Sequence, residues 1–68
     1  MNEDTLNMEI RKFLKNVGLS SQREIEHTIL KAVESGDLSG AETLAVSMTL
    51  KMSAIELNHV IEGTIALE

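Results

Sequence analysis

Residues able to carry chemistry are few and dispersed. The chain has two histidines, His27 and His59, far apart in sequence, and no cysteine. A zinc-type site needs a convergent set of His, Cys or carboxylate ligands, and the spacing here offers none. His27 falls on a helical face opposite Ile25 and Ile29, near Glu24 and Lys31, where helix position alone accounts for it. His59 sits on the apolar side of a strand with Leu57 and Ile61, where a lone histidine is more often a satisfied core or interface residue than a base. The carboxylates Glu24, Glu26, Glu34, Asp37, Glu42, Glu56 and Glu62 are scattered. Acid–base catalysis needs two of them in one cleft, and a domain this small has little room for a cleft. Ser20 and Ser21 read as helix caps, so a nucleophile role has nothing to explain. The sequence points to no catalytic residue, no metal, no cofactor and no enzyme.

One cluster remains. Arg11, Lys12 and Lys15 gather on the outward face of the first helical segment around Met8, and Arg23 follows in the first turn of the next. This is the only basic patch, and it could meet phosphate or a protein partner. Against phosphate, the net charge is −5, and residues 20–68 carry all of it because residues 1–19 balance Glu3, Asp4 and Glu9 with Arg11, Lys12 and Lys15. A helix, a turn, a helix and a hairpin resembles the order of a winged DNA-binding module. The second helix, which would read the DNA, carries Glu24, Glu26 and Glu34 against Arg23 and Lys31, so nucleic acid is not the expected partner.

The elements that must position these residues are built from aliphatic side chains. At 68 residues the chain makes one domain, and its only aromatic residue is Phe13. A domain of that size is marginal unless a disulfide, a metal or another chain completes it. Cysteine is absent, so tight packing or oligomerisation is left. No window is apolar enough to span a bilayer, and the acidic start "MNEDTLNMEI" does not open a signal peptide; a cytoplasmic protein is expected.

The first segment runs from about Asn2 to Val17, with Leu6, Ile10, Phe13, Leu14 and Val17 on one helical stripe. Asn2 or Asp4 can cap it, and Gly18 with Leu19 reads as a glycine C-terminus. Ser21 and Glu24 have the spacing of a capping box for a second helix, whose stripe is Ile25, Ile29, Ala32 and Val33 with Leu30 at its edge. Gly36 ends it, and Asp37 to Gly40 form a turn. The stretch "TLAVSMTLKM", Thr43 to Met52, alternates strictly. Leu44, Val46, Met48, Leu50 and Met52 take one face of a strand, and Ala45, Ser47, Thr49 and Lys51 the other. Residues 53–62 fit two patterns. As a strand they align Leu57, His59 and Ile61 with Ile65 and Leu67. As a helix they use Ser53 and Glu56 as a capping box and Gly63 as a stop. The strand is preferred because the helix would leave the first strand almost without a partner. Ser53–Glu56 is then the loop, and Gly63 a bulge or twist point.

The pattern "MNEDTLNMEIRKFLKNVGLSSQREIEH", the linking residues Ser35-Gly36, Leu38, Gly40 and Glu42-Thr43-Leu44, and the ending "HVIEG" with "IALE" together resemble a family of small bacterial proteins of about this length, a domain of unknown function. The resemblance covers nearly the whole chain. It implies a bacterial, cytoplasmic, stand-alone protein and transfers no site residue.

The expected fold is α+β: two amphipathic helices followed by an antiparallel β-hairpin, helices on one face of the sheet, in a single domain over 1–68. The expected core is Leu6, Ile10, Phe13, Leu14, Val17, Ile25, Ile29, Val33, Leu44, Val46, Met48, Leu50, Leu57, Ile61, Ile65 and Leu67. The expected function is a non-enzymatic protein-interaction module that pairs with its own copy or another protein. Its lightly guarded strand face, Ala45, Ser47, Thr49 and Lys51, is the expected place of self-association. The alternative is nucleic-acid binding through Arg11, Lys12, Lys15 and Arg23.

Overall fold

The computed structural model describes every residue from Met1 to Glu68. It is α+β, with one helix and not two: α1 spans Glu3–Glu34, β1 Thr43–Met52 and β2 Leu57–Ala66, with a short 3-10 turn at Ser53–Ile55. The chain divides into two compact units, Met1–Asp37 and Leu38–Glu68.

The expected break at Gly18 does not occur. Gly18 lacks the positive φ of a helix-ending glycine, which only Gly36 and Gly40 show. The energetics favour continuity. A helical glycine costs about 1 kcal/mol relative to alanine. A break would strand backbone carbonyls on one side and amides on the other, with only two or three residues in which to satisfy them. No proline forces the break. Ser20 and Ser21 therefore lie inside the helix, and the capping box expected at Ser21 and Glu24 is not used as one.

The true start is Asn2, whose Oδ1 accepts from the Thr5 amide at 3.1 Å. Glu3 and Asp4 occupy the first turn, where the helix dipole favours anions. The end is where the glycine pattern placed it. Ser35 donates its amide to the Lys31 carbonyl at 3.0 Å, and Gly36, at φ +85°, donates to Val33 at 3.2 Å. Its αL backbone closes the last turn, a conformation that favours glycine.

The second unit is a two-stranded antiparallel sheet with an unbroken register of ten pairs, from Thr43 opposite Ala66 to Met52 opposite Leu57. β1 is the alternating stretch the sequence marks. The strand reading of the following residues holds, from Leu57 onward. Gly63 is no bulge: it pairs regularly with Val46. Opposite residues share a face, so Leu44, Val46, Met48, Leu50 and Met52 stand with Ile65, Gly63, Ile61, His59 and Leu57. The other face pairs Ala45 with Thr64, Ser47 with Glu62, Thr49 with Val60 and Lys51 with Asn58.

The expected core is not a buried one. No side chain in the chain is fully buried. Val17, Ile25, Ile29, Leu44, Val46, Leu50 and Ile65 are half-buried, but Leu6, Ile10, Phe13, Leu14, Met48 and Ile61 are exposed. A lone helix has one apolar stripe and a hairpin one apolar face; neither closes a core by itself.

Candidate functional site

The residues singled out for chemistry stay apart. His27 is exposed on α1, and His59 is exposed opposite Leu50 in the ladder. No three His, Cys, Asp or Glu side chains come together in a metal-binding group. No helix is long and apolar enough to cross a membrane.

Continuity of α1 rearranges the basic patch. Arg23 follows Lys12 by eleven residues, about three turns, which puts both on the same side of the helix. Met8, Arg11, Lys12, Lys15 and Arg23 thus share one side of a single element, all exposed. The same side also carries Glu26, which accepts a hydrogen bond from Gln22 Nε2 at 3.0 Å. Its exposed apolar residues, Met8, Leu19 and Leu30, stand eleven residues apart and form no continuous patch.

Ala45, Ser47, Thr49 and Lys51 are all exposed and lie on one face of the hairpin, as expected. β2 completes that face with Asn58, Val60, Glu62 and Thr64. It is therefore more polar than β1 alone suggests, with Glu62 directly opposite Ser47.

The surface that stands out is apolar. On α1, Leu6, Ile10, Phe13 and Leu14 are 45–57% exposed, while Ile25, Ile29 and Ala32 further along are half-buried. At about 100° per residue the second group lies roughly a quarter turn round from the first. On the hairpin, Met48, Met52, Leu57 and Ile61 are 38–57% exposed on one face. These are large side chains in contiguous rows, not the isolated apolar residues any surface carries.

One structural element is not marked by the sequence patterns above. The link between α1 and β1 is fastened by Glu42. Its Oε2 accepts from the Ser39 amide at 2.9 Å, and its Oε1 from the Gly40 amide at 2.9 Å and the Ser39 hydroxyl at 3.1 Å. The Ala41 amide donates to Ser39 Oγ at 3.2 Å, and the Glu42 carbonyl accepts from the Leu67 amide at 2.9 Å, tying the link to the end of β2. These donors, the Ser39 amide first, lower the Glu42 carboxyl from 4.5 to about 2. The signal was available: Ser39-x-x-Glu42 has the same spacing as Ser21-x-x-Glu24, with no helical stripe behind it to draw notice.

A profile of a family of unknown function, DUF6494, matches residues 1–68. The chain belongs to that family. The match spans both units, the long helix and the hairpin. No curated protein and no solved structure matches it.

Proposed function

We propose that this DUF6494 chain is a non-enzymatic protein-interaction module of the cytoplasm, acting by presenting apolar surface to a protein partner, its own copy included. One observation carries the reading: no side chain is buried, while long apolar rows on both the helix and the hairpin stand open. Marginal stability leaves no room for that much unspent burial, since about 25 cal/mol is gained for each Å² of apolar surface removed from water.

A length argument supports it. Thirty-two helical residues span about 48 Å, and ten strand residues about 33 Å. However the two units are placed, the hairpin can cover only about two thirds of the helix's length. The face of Ala45, Ser47, Thr49 and Lys51 stays a secondary candidate for docking, because both strands keep an open edge beside it.

The test combines sedimentation equilibrium with binding of an apolar fluorescent dye, at chain concentrations from micromolar to hundreds of micromolar. A self-associating chain, or a dye-binding monomer, is the expected outcome. A monomer that binds no dye and protects its helix and hairpin amides alike has closed its own core, and the reading fails.

The second reading is phosphate binding through Arg11, Lys12, Lys15 and Arg23, favoured by the alignment of Arg23 with Lys12 on one helix. It predicts salt-sensitive binding to a pool of DNA or RNA that Lys12→Glu weakens. No binding at low salt removes it.

A further inference from the structure

We propose that the outer edge of β1 pairs antiparallel with the same edge in a second copy of the chain, joining two hairpins into one four-stranded sheet with the two-fold axis at Thr49. This rests on the interaction reading above, and it fixes the partner and the register of the strand that carries Ala45, Ser47, Thr49 and Lys51.

The backbone sets which residues are free to pair. In an antiparallel ladder alternate residues turn their amide and carbonyl toward the partner strand, and the others turn theirs away. The Leu67 amide donates to the Glu42 carbonyl at 2.9 Å, which fixes the phase: Glu42 faces β2, and so do Leu44, Val46, Met48, Leu50 and Met52. Thr43, Ala45, Ser47, Thr49 and Lys51 turn theirs outward, and all of them are exposed. Such a row is satisfied by another extended backbone. Thr43 to Leu50 is also the longest run of the chain without a charged residue, so two copies of net charge −5 approach there with least repulsion.

The charges of the hairpin select the strand and the register. Lys51 is the only base from Leu38 to Glu68. Lys51 and Glu62 stand on the same face but four rungs apart, about 13 Å, too far to meet within one hairpin. Pairing β1 with its copy about Thr49 sets Lys51 of each beside Ser47 of the other, and Ser47 is the ladder partner of Glu62. Lys51 of one copy then reaches Glu62 of the other over a small side chain, with about 10 Å between their backbones. Symmetry makes that contact twice. An axis at Met48 sets Lys51 beside Ala45 and Thr64 instead, which offer it no charge. The edge of β2 carries Glu62 and no lysine or arginine, so pairing that edge with its copy leaves the acid without a cation. In the Thr49 register the apolar faces also run on, with Met48 opposite Leu50 and Val46 opposite Met52. Laying β1 on β2 of the next copy brings Lys51 to Glu62 as well, but that contact is head-to-tail and does not close.

Sedimentation equilibrium of the full-length chain, up to hundreds of micromolar, is expected to show a dimer. Thr49→Pro removes an outward amide and no bond of the β1–β2 ladder, so the dimer should be lost while the ladder amides stay protected. Lys51→Glu and Glu62→Lys are each expected to raise the dissociation constant about tenfold, and the double variant to restore it. Glu62→Lys is the decisive single change, because it reduces the net negative charge and would tighten an association governed by overall repulsion.

A dimer that survives Thr49→Pro, or that Glu62→Lys leaves unchanged or tightens, overturns the proposal, because the contact then lies elsewhere or in another register. Species that grow past the dimer show head-to-tail stacking and overturn it too. So does a parent chain that stays monomeric. If that monomer binds the apolar dye, the interaction reading survives with a different occupant; if it binds none and protects its helix and hairpin amides alike, both fail together.

Discussion

The helix satisfies its backbone hydrogen bonds within itself, whereas the hairpin leaves a row of amides and carbonyls open along the outer edge of each strand. Both lack buried side chains. The helix therefore needs cover only for its apolar stripe. The hairpin needs cover for an apolar face and, in addition, has two edges that invite another strand. The comparison extends to one glycine in the interior of each. Gly18 lies near the middle of α1 and Gly63 within β2, neither at positive φ. A Cβ at Gly18 would meet nothing within 4 Å, and at Gly63 only the Val46 side chain at 3.9 Å, an ordinary contact. Nothing within the chain requires glycine at either place. Both positions weaken their element, so substitution there separates what each unit does for itself from what a neighbour asks of it.

The largest expected effect is Gly18→Pro. Proline inside a helix removes a hydrogen bond and clashes with the preceding turn, costing about 3 kcal/mol. Far-UV ellipticity should fall by more than one residue's share. Its counterpart, Gly18→Ala, is expected to stabilise the helix by about 1 kcal/mol in a thermal melt, since alanine is the better helix former. Loss of stability in Gly18→Ala would mean that the residue adopts a left-handed conformation in solution, and that the helix is two.

Next comes the tip of the hairpin. Glu56 is the only non-glycine residue at positive φ, at φ 53° and ψ 34°, after the turn in which its amide donates to the Ser53 carbonyl at 3.3 Å. An L-residue held there costs roughly 1–2 kcal/mol relative to its usual conformations. Glu56→Gly is expected to recover about 1 kcal/mol of that, read as a higher melting temperature of the ladder by NMR. An unchanged or lower value would put the strain elsewhere. A smaller gain, about 0.5–1 kcal/mol, is expected from Gly63→Ala, because glycine in a strand interior costs that much relative to alanine. A loss instead would show a close neighbour over the apolar face at Val46, and so would bring the hairpin into the docking surface.

The hairpin was legible because its signal is local. Strict alternation over Thr43–Met52 has one solution, and the boundaries of β1 fall where the pattern does. The helix ends were legible at Asn2 and Gly36 for the same reason: a capping side chain and a left-handed glycine act within a turn. Gly18 misled because glycine followed by an apolar residue and two serines is the local pattern of an ending, and local pattern does not weigh the stranded backbone groups that an ending leaves behind. The core misled for a different reason. Periodicity says which side of an element is apolar; it does not say whether the same chain has enough surface to cover it. Leu6, Ile10 and Phe13 were placed on the right stripe and are not covered. Ser39 and Glu42 carry the serine–glutamate spacing with no apolar helical stripe after it, so local pattern gives their pairing no mark.

The smallest effect tests that last pair, and it compares the link with the two elements it joins. Glu42 titrates at about 2 in the folded chain against a usual 4.5, because the Ser39 and Gly40 amides and the Ser39 hydroxyl all donate to its charged form. The folded value is the lower one. The carboxylate therefore adds stability that is complete above about 4.5, declines as the pH falls below it, and is gone once the pH has passed through about 2. Amide shifts of Ser39 and Gly40, followed from pH 7 to 2, should stay flat through 4.5 and move only near the acid end. Glu42→Gln keeps an acceptor but loses the charge, so both amides should shift upfield at pH 7 and lose their pH dependence. A midpoint near 4.5 in the parent chain would show the carboxylate free in solution, and the link held by its backbone bond to Leu67 alone.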